Sequence, residues 1–229
     1  MTVAAVILAA SAEAALADAG GVPRVRRIAD AAWAGGAMPV VVVAPDPGGT
    51  VAAALAGAEV TLAAPVGPER GPVGQIARGI DIAAAMVTGT TGVLIWPARL
   101  CWIGPETVTS LVEAHGPYPG FLLRPEYEGD AGWPALLPLE ALAAFREQAP
   151  TAMPDELLAG MIEAGLAMHG IDLGDPGTVI DGETRREDLP PYLGPADPTG
   201  GQSNDWGAPV AGTSDDVPVA GLALAADGD

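Results

Sequence analysis

A single thiol, two imidazoles and ten guanidinium groups bound the chemistry this chain can do. Cys101 follows an apolar run, where a lone cysteine is either a reactive thiol or a small buried hydrophobe; its place at a strand end favours the second. With no second cysteine there is neither an internal disulfide nor a thiolate metal cluster. His115 and His169 lie far apart in sequence and fall at the expected ends of two helices, where an imidazole complements the helix dipole. They make no metal motif, although carboxylates could still hold a hard cation. Neither a Gly-x-Ser-x-Gly elbow nor a Walker-type phosphate loop occurs, so hydrolase and P-loop chemistry find no support.

Charge narrows the partners further. The formal net charge is −19, and all ten cations are arginine, with no lysine anywhere. They form no basic stripe, so nucleic acid is excluded as a partner, because nothing would release phosphate counterions. An acidic membrane surface would repel the chain as well. The first apolar run, Val3–Ala10, is too short to span a bilayer and lacks the positive flank of a signal peptide. A cytoplasmic protein is expected.

The elements that must position these residues follow from periodicity. Val3–Ala10 is continuously apolar, as in a strand buried on both faces. A small-residue loop, Ser11–Gly21, leads to a helix opened by Pro23 and closed by Gly35-Gly36. Strand Pro39–Val43, the turn Asp46–Gly49, a short helix at Val51–Leu55 and strand Glu59–Leu62 continue the alternation. A helix over 72–86, a strand at Gly92–Trp96 and a helix from Pro105 come next. Phe121–Arg124 and Ala135–Pro138 read as short strands around an irregular loop, followed by helices at Leu139–Glu147 and Pro154–His169. Strand–helix alternation predicts parallel pairing with right-handed crossovers, hence a three-layer α/β/α domain over residues 1–193 with a mostly parallel sheet. From Gly194 to Asp229, Gly, Pro, Ser and Asp dominate without periodicity or any cation, which predicts a mostly disordered acidic tail. Only Val217–Ala225 within it is apolar enough to dock.

Several stretches, in order, resemble the MobA-like NTP transferase family, which includes the guanylyl- and cytidylyltransferases of molybdenum-cofactor maturation. They are Val3–Ala10; Gly21-Val22-Pro23; Gly71-Pro72-Val73-Gly74-Gln75-Ile76 with Gly79-Ile80; Val93–Cys101 with Pro105-Glu106-Thr107; and Arg124–Gly129 with Gly132-Trp133-Pro134. Asp175–Asp181, followed by Glu187-Asp188-Leu189, resembles the closing Asp-rich motif. The resemblance implies a Rossmann-like fold of the nucleotide-diphospho-sugar transferase type. It also implies a vestigial nucleotide site at Ala10, Ser11, Gly71, Gly74, Gln75 and Arg99, with Asp181 as the remaining metal carboxylate. Catalytic residues stay unassigned.

The family's chemistry rests on charge placement: a Gly-rich loop with Lys and Arg for the triphosphate, and two Asp for Mg²⁺. This chain departs from that pattern at nearly every charged position. Ser11 replaces the loop glycine, Ala15 stands where the loop Arg belongs, and the loop is short. Arg99 occupies the place of a metal Asp, with Cys101 replacing the proline after it, and Trp133 replaces a histidine. Arg99 is expected to pair with Asp181 or another acid lining a dead site; a sharper reading makes it a fixed cation in place of Mg²⁺. Trp96, Trp102 and Trp133 are expected near the former pocket, either filling it, which is favoured, or forming a stacking surface.

The implied function is therefore a nucleotidyltransferase-like pseudoenzyme, without a cofactor, that serves as a binding or scaffold partner in molybdenum-cofactor maturation. Nucleotide, molybdenum cofactor or another protein would be its partner. One alternative is a divergent active transferase with Mg²⁺ and a molybdopterin or sugar-phosphate acceptor. Another is an interaction module that recruits a basic partner through the acidic tail.

Overall fold

The computed structural model describes residues 2–194. The tail expected over Gly194–Asp229 therefore lies, beyond its first residue, outside the described residues. Strand β1 (Thr2–Leu8) is the axis of the sheet, because its interior is wholly apolar and both of its edges are paired. On one side β2 (Val40–Val43) and then β3 (Thr61–Ala63) add in parallel. On the other side β4 (Thr90–Pro97) also runs parallel, so that Val6 sits between Val41 and Ile95. Four consecutive valines make β2 a strand that can be buried on both faces, and all four are buried.

Beyond β4 the sheet becomes mixed. Strand β7 (Ala135–Pro138) pairs antiparallel with β4 and with β5 (Leu122–Tyr127), while β8 (Met168–Asp172) adds in parallel to β5. The stretch expected to be an irregular loop is a hairpin: β6 (Asp130–Ala131) folds back on β5 through Glu128-Gly129, both at positive φ. Two left-handed residues give the twist-matched two-residue turn, and only the glycine advertises it in sequence.

Helices cover both faces. The helix α4 (Gly71–Met86) packs on β1, β2 and β4, with α6 (Leu142–Arg146) and α7 (Pro154–Glu163) against it. A Cβ on Gly79 would strike Val6 and Val43, so a bare backbone is what lets α4 sit this close to the sheet. On the opposite face α2 (Arg24–Ala34) and α5 (Pro105–Ala114) pack together.

Two expectations need correction. Helix α7 stops at Glu163, and Gly165 follows at φ 103°, a left-handed exit that ends the helix. His169 therefore lies on β8, with its ring 4.4 Å from that of Tyr118, and not at a helix end. The small-residue loop after β1 also contains a five-residue helix, α1 (Ala12–Leu16). Among the described residues no helix is long and apolar enough to cross a membrane.

Candidate functional site

Strands β1, β2 and β4 all point their C-terminal ends at one cleft of about 560 Å³. This is where an open α/β sheet binds ligands, because the loops leaving parallel strands diverge there. The floor is Leu8, Ala9 and Ala10 from β1 and its exit, Val43 from β2, and Pro97-Ala98 from β4. Proline and valine from the segment before α4 make one wall, and Met153 and Pro154 at the start of α7 make another. Gln75, Arg99 and Asp155 are the polar residues of the lining.

The loop after β1 shows why this rim differs from a phosphate cradle. Ser11 caps α1, its hydroxyl accepting from the Ala14 amide at 3.0 Å, and the Ala15 amide donates to the Ser11 carbonyl at 3.1 Å. Two amides that a glycine loop would turn toward an anion are thereby consumed by a helix. Toward the cleft this segment presents Ala14 instead. Ala15, at the position of the family's loop Arg, is fully buried.

Arg99 is exposed at the rim, and its partner is Asp155 of α7, at 3.9 Å. Asp155 also accepts from the Arg124 guanidinium at 3.4 Å and from the Trp133 indole at 3.2 Å. Burial holds Arg124 below the usual guanidinium range, while Asp155 opposes that shift by favouring its charge. Asp155 was not singled out from sequence. The only sign of it there is an acidic first turn after Pro154, which is ordinary helix-start chemistry.

Asp181 comes to the same region by its backbone alone. The following amide, of Gly182, donates to the Arg99 carbonyl at 2.6 Å, so the closing motif does meet the end of β4. Its carboxylate, however, accepts from the Glu183 amide at 3.0 Å and does not line the cleft. Glu183 in turn pairs with the buried Arg24 at 2.7 Å. Among the described residues no three His, Cys, Asp or Glu side chains converge as a metal-holding group. The magnesium that the family's chemistry employs does not fit this donor set: Arg99 and Asp155 face each other at the rim, and Asp181 serves its own turn.

The remaining sequence candidates divide in the same way. Gln75 lines the cleft, but its side chain is held by both polar groups of Val66: it accepts from the amide at 2.9 Å and donates to the carbonyl at 3.0 Å. Gly71 and Gly74 serve packing, since a Cβ would strike the Pro150 carbonyl at the first and the Arg70 side chain at the second. Ala10 lines the cleft; Ser11 does not.

The three tryptophans do not fill the cleft. Trp96 is buried with its indole on the Leu100 carbonyl at 2.7 Å, Trp102 donates to Thr184 at 2.8 Å, and Trp133 reaches Asp155 from outside the lining. Cys101 is buried, and burial pushes its thiol up from its ordinary value, against the opposing pull of Arg24. His115 is buried beside Thr91 at 3.1 Å, and burial holds its imidazole below its ordinary value.

The fold is of the Rossmann-like, nucleotide-diphospho-sugar transferase type. The chain belongs to the MobA-like NTP transferase domain family, which matches residues 8–163. Among solved structures it is similar to the Mycobacterium tuberculosis H37Rv protein Rv0371c, determined with manganese. That match has 16% identity and a TM-score of 0.56, and covers 75% of this chain and 89% of that one. A nucleotidyl transferase from Methanothermobacter matches at 17% identity and TM-score 0.58, over 75% of this chain and 87% of its own. The 4-diphosphocytidyl-2C-methyl-D-erythritol synthase from Anaerococcus prevotii matches at 10% identity and TM-score 0.60, over 78% and 91%. At these identities the likeness is one of fold. No curated protein is significantly similar in sequence.

Proposed function

We propose that this chain is a catalytically silent nucleotidyltransferase-like protein that acts as a binding or scaffold partner in molybdenum-cofactor maturation. The pathway is supported by the family and by the ordered stretches that resemble those of the molybdopterin transferases. The silence is supported by one observation above all: the cation at the cleft rim, Arg99, faces the carboxylate of Asp155. A nucleoside triphosphate brings close to four negative charges, and the active chemistry offsets them with a metal and loop cations. Here Arg99 and Arg124 share the one carboxylate of Asp155, which leaves a single net positive charge, no lysine exists to add another, and the chain as a whole carries −19.

Calorimetric titration of GTP, CTP and ATP, each with and without Mg²⁺, tests this directly. The expected result is no magnesium-dependent gain in affinity for any of the three. Tight binding that requires Mg²⁺ would instead favour a divergent, active transferase.

A further inference from the structure

The cleft has the volume of a ligand site but little of the charge that a triphosphate needs, and its lining describes a different ligand. At about 560 Å³ it is the size that encloses a small organic molecule. Leu8, Val43, Pro45, Val66, Pro72 and Met153 give it apolar walls. A base and ribose would need polar partners, yet the Gln75 amide is already held at both ends by Val66. Arg99 differs from Gln75 in this respect. Its guanidinium is 52% exposed, and its contact with Asp155 at 3.9 Å is too long for a hydrogen bond. Among the described residues it donates no hydrogen bond at all, so a directed cation stands at the mouth of an apolar cavity. Asp155 loses little when Arg99 turns away, because Arg124 and Trp133 still donate to it.

We infer that the cleft is a binding site for a small amphipathic monoanion: an apolar body seated on the strand ends, with its single anionic group anchored by Arg99. This rests on the absence of triphosphate chemistry proposed above and names the class of ligand the same cleft takes instead. One negative charge is what the rim can accept. A second would meet Asp155 and the acidic field of the chain. A short guanidinium–anion bond replaces a loose ion pair, and the walls exclude water around the apolar body.

The test is a fluorescence titration of the full chain with anilinonaphthalene sulfonate, an aromatic body with one anionic group, alongside its uncharged analogue phenylnaphthylamine. Wild type binds the sulfonate at one saturable site, about tenfold tighter than the neutral dye, the ratio expected of one charge-assisted hydrogen bond. Arg99→Met removes that preference and leaves the neutral dye unaffected. Asp155→Asn tightens sulfonate binding several-fold, and Ala14→Phe, which adds a ring to the lining, abolishes binding of both dyes. Near-ultraviolet circular dichroism establishes that each variant is folded, and Arg99→Met, at an exposed position, carries the test if Ala14→Phe does not fold. An unchanged preference in Arg99→Met, the absence of saturable binding, or displacement of the sulfonate by magnesium-GTP overturns the inference. Pyrophosphate release would overturn the proposed silence while leaving the Arg99 dependence of dye binding untouched, so the two failures are distinguishable.

Discussion

In β1, β2 and β4 nearly every inward position is Val, Leu, Ile or Ala and is buried, whereas a few residues further on the same strands feed a rim of Arg99, Ala10 and other small apolar residues. The two regions answer to different constraints. The strand interiors are held by burial, which depends on apolar area and volume and is indifferent to which apolar residue supplies them. Catalysis at the rim would require particular charges at particular atoms, and a single wrong sign there defeats it. The fold can therefore persist with a cleft of the right size after its charges have changed. The contrast also explains why likeness at 10–17% identity still gives matching folds.

The sharpest way to break this contrast is through the strand layer. Trp96→Ala removes the largest fully buried side chain among the described residues and the donor to Leu100. A cost of about 4 kcal/mol is expected, lowering the melting temperature by roughly 8–16 °C in a domain of this size. Gly79→Val comes next: its side chain would collide with Val6 and lift α4 from the sheet. The expected cost is about 2–3 kcal/mol, again read by thermal melting. At the rim the same measurement should barely respond. Arg99→Met loses one long, exposed ion pair, and a change within about 0.5 kcal/mol is expected. A rim substitution as costly as Trp96→Ala would show that the rim is part of the core.

A smaller effect separates the buried imidazole from the exposed charges. Burial lowers the folded-state pKa of His115 below its ordinary value of 6.5, with Glu140 opposing that effect. As pH falls through 6.5 the unfolded chain takes up the proton first, and the stability that His115 contributes above that pH is progressively lost. His115→Gln should flatten the fall in melting temperature between about pH 7 and 5.5, where histidine titrates. An unchanged slope would assign the fall to carboxylates.

Much of the strand layer was legible because burial on both faces leaves continuous apolar runs: Ala135–Pro138 matches its strand end to end, and Val40–Val43 lies within the expected one. The misses share a physical cause. The expected helix Pro154–His169 overruns the stop at Gly165 into the first two residues of β8, because Met168-His169 lies on a half-exposed edge where the apolar signal is weak. Hairpin β5–β6 was hidden because Glu128 adopts a left-handed backbone that its residue type seldom signals. At the site, sequence order located Arg99, Gln75 and Ala10 on the cleft, since each lies within a few residues of a buried strand or helix. It could not supply Asp155 as the partner of Arg99. That contact joins residues 56 positions apart in sequence (155 − 99) through the packing of α7 on the sheet layer, and no local pattern encodes it.

The proposed catalytic silence is tested by coupled detection of pyrophosphate released from GTP, CTP or ATP, with Mg²⁺ and a molybdopterin acceptor. Wild type and Arg99→Asp are both expected to release none above the protein-free rate. The single restored carboxylate leaves α1 in place of a phosphate-binding loop and adds no cation for the triphosphate. Sustained, magnesium-dependent release by the wild type would contradict the account.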